Sequence, residues 1–152
     1  MLQKAVIILK FMEYAVREAE CAFESDEVPV GCVITYHNEI IASAHNTSES
    51  DMNTTRHAEM KAIEKAISHL GKKDLRDCEM YVTLEPCPMC AGAIINTKLK
   101  RVYIGAPEPK SGCFGTKIDF NTLGFNHCPE IYIGIDEEKC KDILQKFFKS
   151  KR

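Results

Sequence analysis

No unbroken apolar run in this chain is longer than five residues, the Ala5–Leu9 stretch between Lys4 and Lys10. A membrane-spanning helix needs about twenty such residues. No small-residue cleavage site follows the stretch, so neither a span nor a secretion signal is expected. Tryptophan is absent, and glycine and proline are sparse at 8 and 6 of 152 residues. No repeat or low-complexity tract appears, which argues against a solenoid, a fibre or a disordered chain. Large net charge is missing too: at −2 the whole molecule does not advertise nucleic-acid binding.

What is present suits one domain over residues 1–152, with 45% hydrophobic and 28% charged residues. A chain of this length can bury roughly two-thirds of its unfolded surface. Eight cysteines would imply a disulfide framework in an exported chain. Without an export signal, reduced thiols, metal ligation and a cytoplasmic location are the expectation. Cys87 and Cys90 are the ligand candidates, and the other six read as small core residues or plain thiols. Charge is unevenly placed: residues 139–152 carry six basic side chains against Asp142 alone, a net of +5, leaving −7 for the rest. A basic tip suits contact with a polyanion, and it also suits the end of a helix, where the dipole favours cations.

Periodicity orders the chain. Met12, Ala15, Val16, Ala19, Ala22 and Phe23 predict an amphipathic helix from about residue 3 to 24. Residues 28–36 and 39–45 are β-rich and meet at His37-Asn38, which predicts a hairpin. Gly31 inside the first run marks a bulge or a close backbone approach. A polar loop ends in Thr54 and Thr55, candidate caps for a helix over about 57–70 that stops before Gly71. Met80–Leu84 is a short strand with both faces covered. Pro88 opens a third helix running to about Lys98. A strand over 101–105, a long loop over 106–127, a strand over 131–135 and a helix over about 136–150 complete the order. That last helix has Cys140, Ile143, Leu144, Phe147 and Phe148 on its apolar face. Strands alternating with helices after a hairpin predict an α/β fold with a mixed sheet covered by helices.

One constellation carries chemistry: His57-Ala58-Glu59 and Pro86-Cys87-Pro88-Met89-Cys90. It resembles the ligand-plus-base set of zinc-dependent nucleobase deaminases. Three protein ligands, His57, Cys87 and Cys90, would leave zinc a fourth position for water. A Cys-x-x-Cys at a helix start sets both sulfurs near the positive dipole end, which favours thiolates. Glu59 lies one turn before Ala62 and Ile63 on the inward stripe of its helix. A carboxylate aimed at the core is costly unless paired, protonated or near a metal, so Glu59 is the candidate proton carrier. A closed structural zinc site would need a fourth protein ligand, and none stands at an obvious spacing.

Along nearly its whole length the chain resembles the bacterial tRNA-specific adenosine deaminases of the cytidine/deoxycytidylate deaminase superfamily. The matching stretches are Glu27–Gly31, His45-Asn46, His57–Glu59, Tyr81–Ile94, Gly105–Pro107 with Pro109-Lys110, Phe125–His127 and Phe147–Lys149. The resemblance implies a three-layer α/β/α cytidine-deaminase-like fold with a central five-stranded sheet. It also implies a homodimer with one Zn²⁺ per subunit. The implied reaction converts the wobble adenosine of a tRNA anticodon, typically that of an arginine tRNA, to inosine. By the same resemblance Asn46 would hydrogen-bond the purine, while Val28, Ala58 and Pro86 line the base pocket. Glu108, Lys110 and Phe148 would meet the anticodon stem-loop. Guanine and cytosine deaminases acting on free bases share the histidine form of the motif, so they stand as the alternative, beside a non-catalytic zinc-stabilised RNA-binding subunit. Four positions in three places depart from the family pattern: Glu108 stands where aspartate is usual, Thr47-Ser48 where basic residues are frequent, and Arg56 where a small residue often precedes the histidine.

Overall fold

The computed structural model describes residues 1–152. In chain order the elements are α1 (Leu2–Glu24), β1 (Gly31–Tyr36), β2 (Glu39–His45), α2 (Ala58–Leu70), β3 (Cys78–Leu84), α3 (Pro88–Asn96), β4 (Arg101–Ala106), β5 (Glu130–Ile133) and α4 (Glu137–Ser150). The five strands form one sheet in the order β2-β1-β3-β4-β5. β1 runs antiparallel to both β2 and β3, whereas β3, β4 and β5 are parallel, so the sheet is mixed as the pattern predicts.

Period-two alternation explains the layers. Cys32, Ile34, Met80, Val82, Val102 and Ile104 point to one face, where Ala58, Ala62, Ile63 and Ala66 of α2 and Ala91 and Ile94 of α3 close the larger core. Val33, Tyr81 and Tyr103 point the other way, against Phe11, Met12, Ala15 and Val16 of α1 and Cys140 of α4. The fold is therefore a helix–sheet–helix sandwich. Its second core includes an aromatic row, with Tyr81 stacked on Tyr103 at 4.6 Å and Tyr103 on Tyr132 at 5.2 Å.

Gly31 turns out to be a close approach. A Cβ there would lie 1.9 Å from the Ala15 carbonyl oxygen and 2.5 Å from the Ala19 nitrogen, so α1 presses directly on β1. The register irregularity of the hairpin sits at Ile34/Thr35 instead. His37 and Asn38 both take positive φ, 49° and 62°, as the tight twisted turn between two strands requires.

Several boundaries move from the sequence expectation. β1 starts at Gly31 rather than Val28, because the Val30 amide donates to the Val28 carbonyl at 2.9 Å and so turns the chain locally instead of extending it along a strand. The cap of α2 is His57, in extended conformation and without a side-chain cap. Thr55 spends its amide and hydroxyl on Asn53. The loop after β4 contains a 3-10 turn at Phe120–Thr122 and a bridge between Phe114 and Asp119. On α4, Cys140 and Phe147 are buried while Phe148 is half exposed, so the apolar face is narrower than its composition suggests. No helix is long and apolar enough to cross a membrane.

Candidate active site

Two helix N-termini deliver the donor atoms. His57 sits immediately before α2 and Cys87 immediately before α3, both in extended backbone (φ −75°, ψ 154° and φ −75°, ψ 174°). Pro88 fills the first position of α3, where its missing N–H costs nothing, and Cys90 follows within the first turn. Neither cap position uses its side chain to close the helix end. The free amides of both first turns therefore leave positive dipole ends beside the cluster, which favours anionic sulfur.

The Nδ1 atom of His57 lies 3.6 Å from the sulfur of Cys87 and 3.6 Å from that of Cys90. Ligand lengths of about 2.0–2.1 Å to nitrogen and 2.3 Å to sulfur, at tetrahedral angles, place N and S about 3.6 Å apart. The three donors lie within 4.8 Å of one another, so their spacing fits zinc without rearrangement. The Cys90 thiol beside it, opposed by burial and assisted by the His57 ring and the Cys90 amide, draws the Cys87 thiol down to about 4. Cys90 is displaced upward, first by Cys87 and then by burial. One negative charge is thus easily held by the pair, and a second calls for a cation. The Cys87 sulfur, against the opposing effect of burial, raises the His57 ring.

Glu59 is 4% exposed on the inward face of α2. Burial raises its carboxyl to about 7, against its own backbone amide and the nearby His57 ring. A carboxyl poised near neutrality can both take and give a proton.

His57, Glu59 and Cys87 line a cavity of about 230 Å³. Val28, Asn46, Ala58 and Glu108, all singled out by sequence, line it with Val30, Ser48, Leu84, Glu85 and Ser111. Asn46 is 6% exposed, its Nδ2 donating to the Val28 carbonyl at 3.3 Å and its Oδ1 accepting from the Ser48 amide at 3.1 Å. These bonds fix the orientation of the carboxamide and leave one N–H and one lone pair free. The Glu108 carboxylate accepts from the Lys110 amide at 2.9 Å.

Three sequence candidates lie off the cavity wall. Pro86 is buried, its carbonyl accepting from the Cys113 amide at 3.0 Å. Lys110 is exposed on the loop beyond Glu108. Phe148 borders a separate shallow surface with Leu144, Lys149 and Arg152. Sequence reasoning missed Ser111, which carries no distinguishing pattern, and noted Ser48 only as a departure from the family pattern. It also passed over Glu27 and Glu85 as individual residues. Both are buried, and an acidic residue closing an apolar run before a proline, as in Leu84-Glu85-Pro86, was the signal available.

A mixed sheet between helix layers, with one histidine and two cysteines presented by two helix starts beside a buried glutamate, defines a zinc-type deaminase. The profile of the MafB19-like deaminases matches residues 8–152. The chain is 43% identical over 143 residues to a tRNA-specific adenosine deaminase of Bacillus subtilis, covering 93% of this chain and 89% of that one. A structure from work on A-to-I editing by tRNA:A34 deaminases at the wobble position superposes with a TM-score of 0.83 at 38% identity, covering 89% of this chain and 99% of its own. A guanine deaminase of Bacillus subtilis superposes with a TM-score of 0.62 at 32% identity, covering 73% and 82%. The chain belongs to the tRNA-specific adenosine deaminase family.

Proposed function

We propose that this protein deaminates the wobble adenosine of a tRNA anticodon to inosine. The observation carrying this reading is a cavity lined by His57, Glu59, Cys87 and Asn46, in a chain so similar to tRNA-specific adenosine deaminases. His57, Cys87 and Cys90 would hold one zinc ion per subunit. When bound, zinc supplies Lewis acidity that lowers the pKa of water to about 7, making hydroxide available at neutral pH.

Glu59 takes the proton lost by the attacking water and passes it to the ring nitrogen beside the amine-bearing carbon. It then takes the remaining proton from the hydroxyl newly bonded to that carbon and gives it to the departing amine. The C–N bond breaks, the C–O bond becomes a carbonyl, and water plus adenosine become inosine plus ammonia. Burial favours the protonated form of this carboxyl, which suits a group that must take up a proton and hand it on. Asn46 offers its remaining N–H and lone pair to the purine edge, while Val28 and Ala58 pack against the ring. Pro86 sets the turn that carries Cys87. An anticodon loop suits such a cavity because its bases are single-stranded and can be splayed outward.

Glu108 on the cavity wall and Lys110 beyond it contact the nucleotides flanking the base. Phe148 and the lysines of α4 meet the stem-loop backbone. The working unit is a homodimer of single-domain subunits in the cytoplasm, and its substrate is an arginine tRNA. Family resemblance supports these assignments. Likeness to a guanine deaminase keeps a free-base reading in view.

A substrate panel separates the two. Zinc-loaded protein is incubated with an anticodon stem-loop bearing wobble adenosine, and separately with free guanine, cytosine and adenosine. Inosine from the stem-loop alone is expected. Ammonia released from free guanine without inosine in the stem-loop would overturn the reading.

A further inference from the structure

Each of two loops that reach the cavity is tied to one buried carboxylate. Glu27 is fully buried, its Oε1 accepting from the Glu49 amide at 3.0 Å and its Oε2 from the Ser50 amide and hydroxyl at 2.7 and 2.5 Å. Glu85 is 2% exposed, its Oε1 accepting from the Glu108 amide at 3.1 Å and its Oε2 from the Phe114 and Thr116 amides at 2.9 and 3.2 Å. The pattern is the same in both: one oxygen takes one donor and the other takes two. The first loop brings Asn46 and Ser48 to the cavity, and the second brings Glu108 and Ser111.

We propose that Glu27 and Glu85 are paired positioning residues, buried anionic clamps that pre-set the two recognition loops and thereby fix the cavity's affinity for its purine nucleotide. This rests on the adenosine-deaminase reading only for the identity of that nucleotide.

The physical case starts from cost. A carboxylate removed from water is expensive, and neither Glu27 nor Glu85 has a lysine or arginine partner. Each is compensated instead by three hydrogen bonds, which are strong because the acceptor is charged. All six donors belong to the two loops. None belongs to the sheet or to α2 and α3, so the interaction energy goes into loop geometry. A loop ordered before substrate arrives spares binding the entropy of ordering it. Gly112 adds a matching feature: a Cβ there would lie 2.5 Å from the Glu85 carboxyl carbon and 2.6 Å from the Glu108 carbonyl oxygen. The second loop closes over Glu85 because this position has no side chain.

Glutamine keeps the size of either residue but replaces one acceptor oxygen with a donor, which then faces an amide N–H. The test compares Glu27→Gln and Glu85→Gln with two variants that leave the carboxylates in place. Ser50→Ala deletes one donor to Glu27, and Gly112→Ala sets a methyl against the Glu85 carboxyl group and so pushes the second loop off it. Zinc content, amide hydrogen exchange, and KM and kcat on the stem-loop are measured for each.

Zinc stays at one per chain. Exchange rises about ten-fold or more at Glu49 and Ser50 in the Glu27→Gln protein, and at Glu108, Phe114 and Thr116 in the Glu85→Gln protein. Sheet amides stay unchanged. KM rises by about ten-fold or more while kcat in the Glu27→Gln protein stays within about three-fold. Ser50→Ala and Gly112→Ala move the same readouts in the same direction. Unchanged loop exchange, or exchange rising equally across the sheet, would overturn the proposal, as would a fall in kcat at constant KM in the Glu27→Gln protein. A wild-type chain that leaves the stem-loop unedited removes the substrate reading, and the exchange data still decide the clamps.

Discussion

Asn46 is the residue at which the proposed recognition of the base and the observed structure meet. Its carboxamide is already committed once as donor and once as acceptor, to the Val28 carbonyl and the Ser48 amide. Replacing it with alanine removes the group offered to the base and also loosens the Val28 and Ser48 walls. For Asn46→Ala, kcat/KM on the stem-loop is expected to fall by about ten- to two-hundred-fold, the usual scale for removing one or two hydrogen bonds. Steady-state kinetics check it, with zinc content unchanged. Cys90 makes the complementary case. It is fully buried, so Cys90→Ser puts a poorer zinc donor in a dry position. Zinc per chain, measured by atomic emission after dialysis, is expected to fall well below one.

At the scale of elements, α1 is held against the sheet by the absence of a side chain. With the Ala15 carbonyl oxygen 1.9 Å from where a Cβ would stand, Gly31→Ala must push α1 off β1. Overpacking of this kind costs about 1–3 kcal/mol or more, so the urea midpoint is expected to drop accordingly. The loop carrying Asn46 has its own acid sensitivity. Burial would raise the Glu27 carboxyl, but the Ser50 hydroxyl and the Glu49 and Ser50 amides outweigh it and hold the group below its ordinary 4.5. A depressed folded value means the unfolded chain binds the proton more readily. The Glu27 contribution is therefore complete above the ordinary value and is lost as pH falls through the lower folded one. Urea midpoints of the wild type are expected to fall more steeply below pH 4.5 than those of Glu27→Gln, which has no proton to take up there. Equal slopes would remove this role for Glu27.

Element by element, much of the fold was readable because periodicity reports burial. Met12, Ala15 and Val16 trace one helix face, and Cys32, Val33 and Ile34 alternate between the two cores. The donor set was readable because His57, Cys87 and Cys90 are few and regularly spaced. Glu27 and Glu85 escaped because their meaning lies in partners more than twenty residues away in sequence, and a glutamate next to a loop looks solvated until its donors are seen. Phe148 misled in the opposite sense. Its spacing puts it beside Phe147, yet Phe147 packs on Phe23 and leaves Phe148 half exposed.

For the whole molecule, charge distribution matters more than total charge. With a net of −2, attraction to RNA must come from local clusters such as the basic end of α4. Affinity for the stem-loop is expected to fall steeply with salt. Each phosphate interaction removed, for example by Lys149→Ala, should reduce the log–log slope by about 0.7. Fluorescence anisotropy between 50 and 300 mM salt, roughly the range over which such slopes are resolved, measures this. An unchanged slope would place the RNA elsewhere on the surface.

The proposed reaction depends most directly on Glu59 acting beside a metal held by His57, Cys87 and Cys90. Wild-type and Glu59→Gln proteins, both brought to one zinc per chain, are incubated with the wobble-adenosine stem-loop, which is then digested to nucleosides and assayed for inosine. The wild type should yield inosine at the wobble position. The Glu59→Gln protein should be slower by about a hundred- to ten-thousand-fold, the range that a positioned general acid–base group supplies. Inosine formed at comparable rates by both proteins would contradict the account.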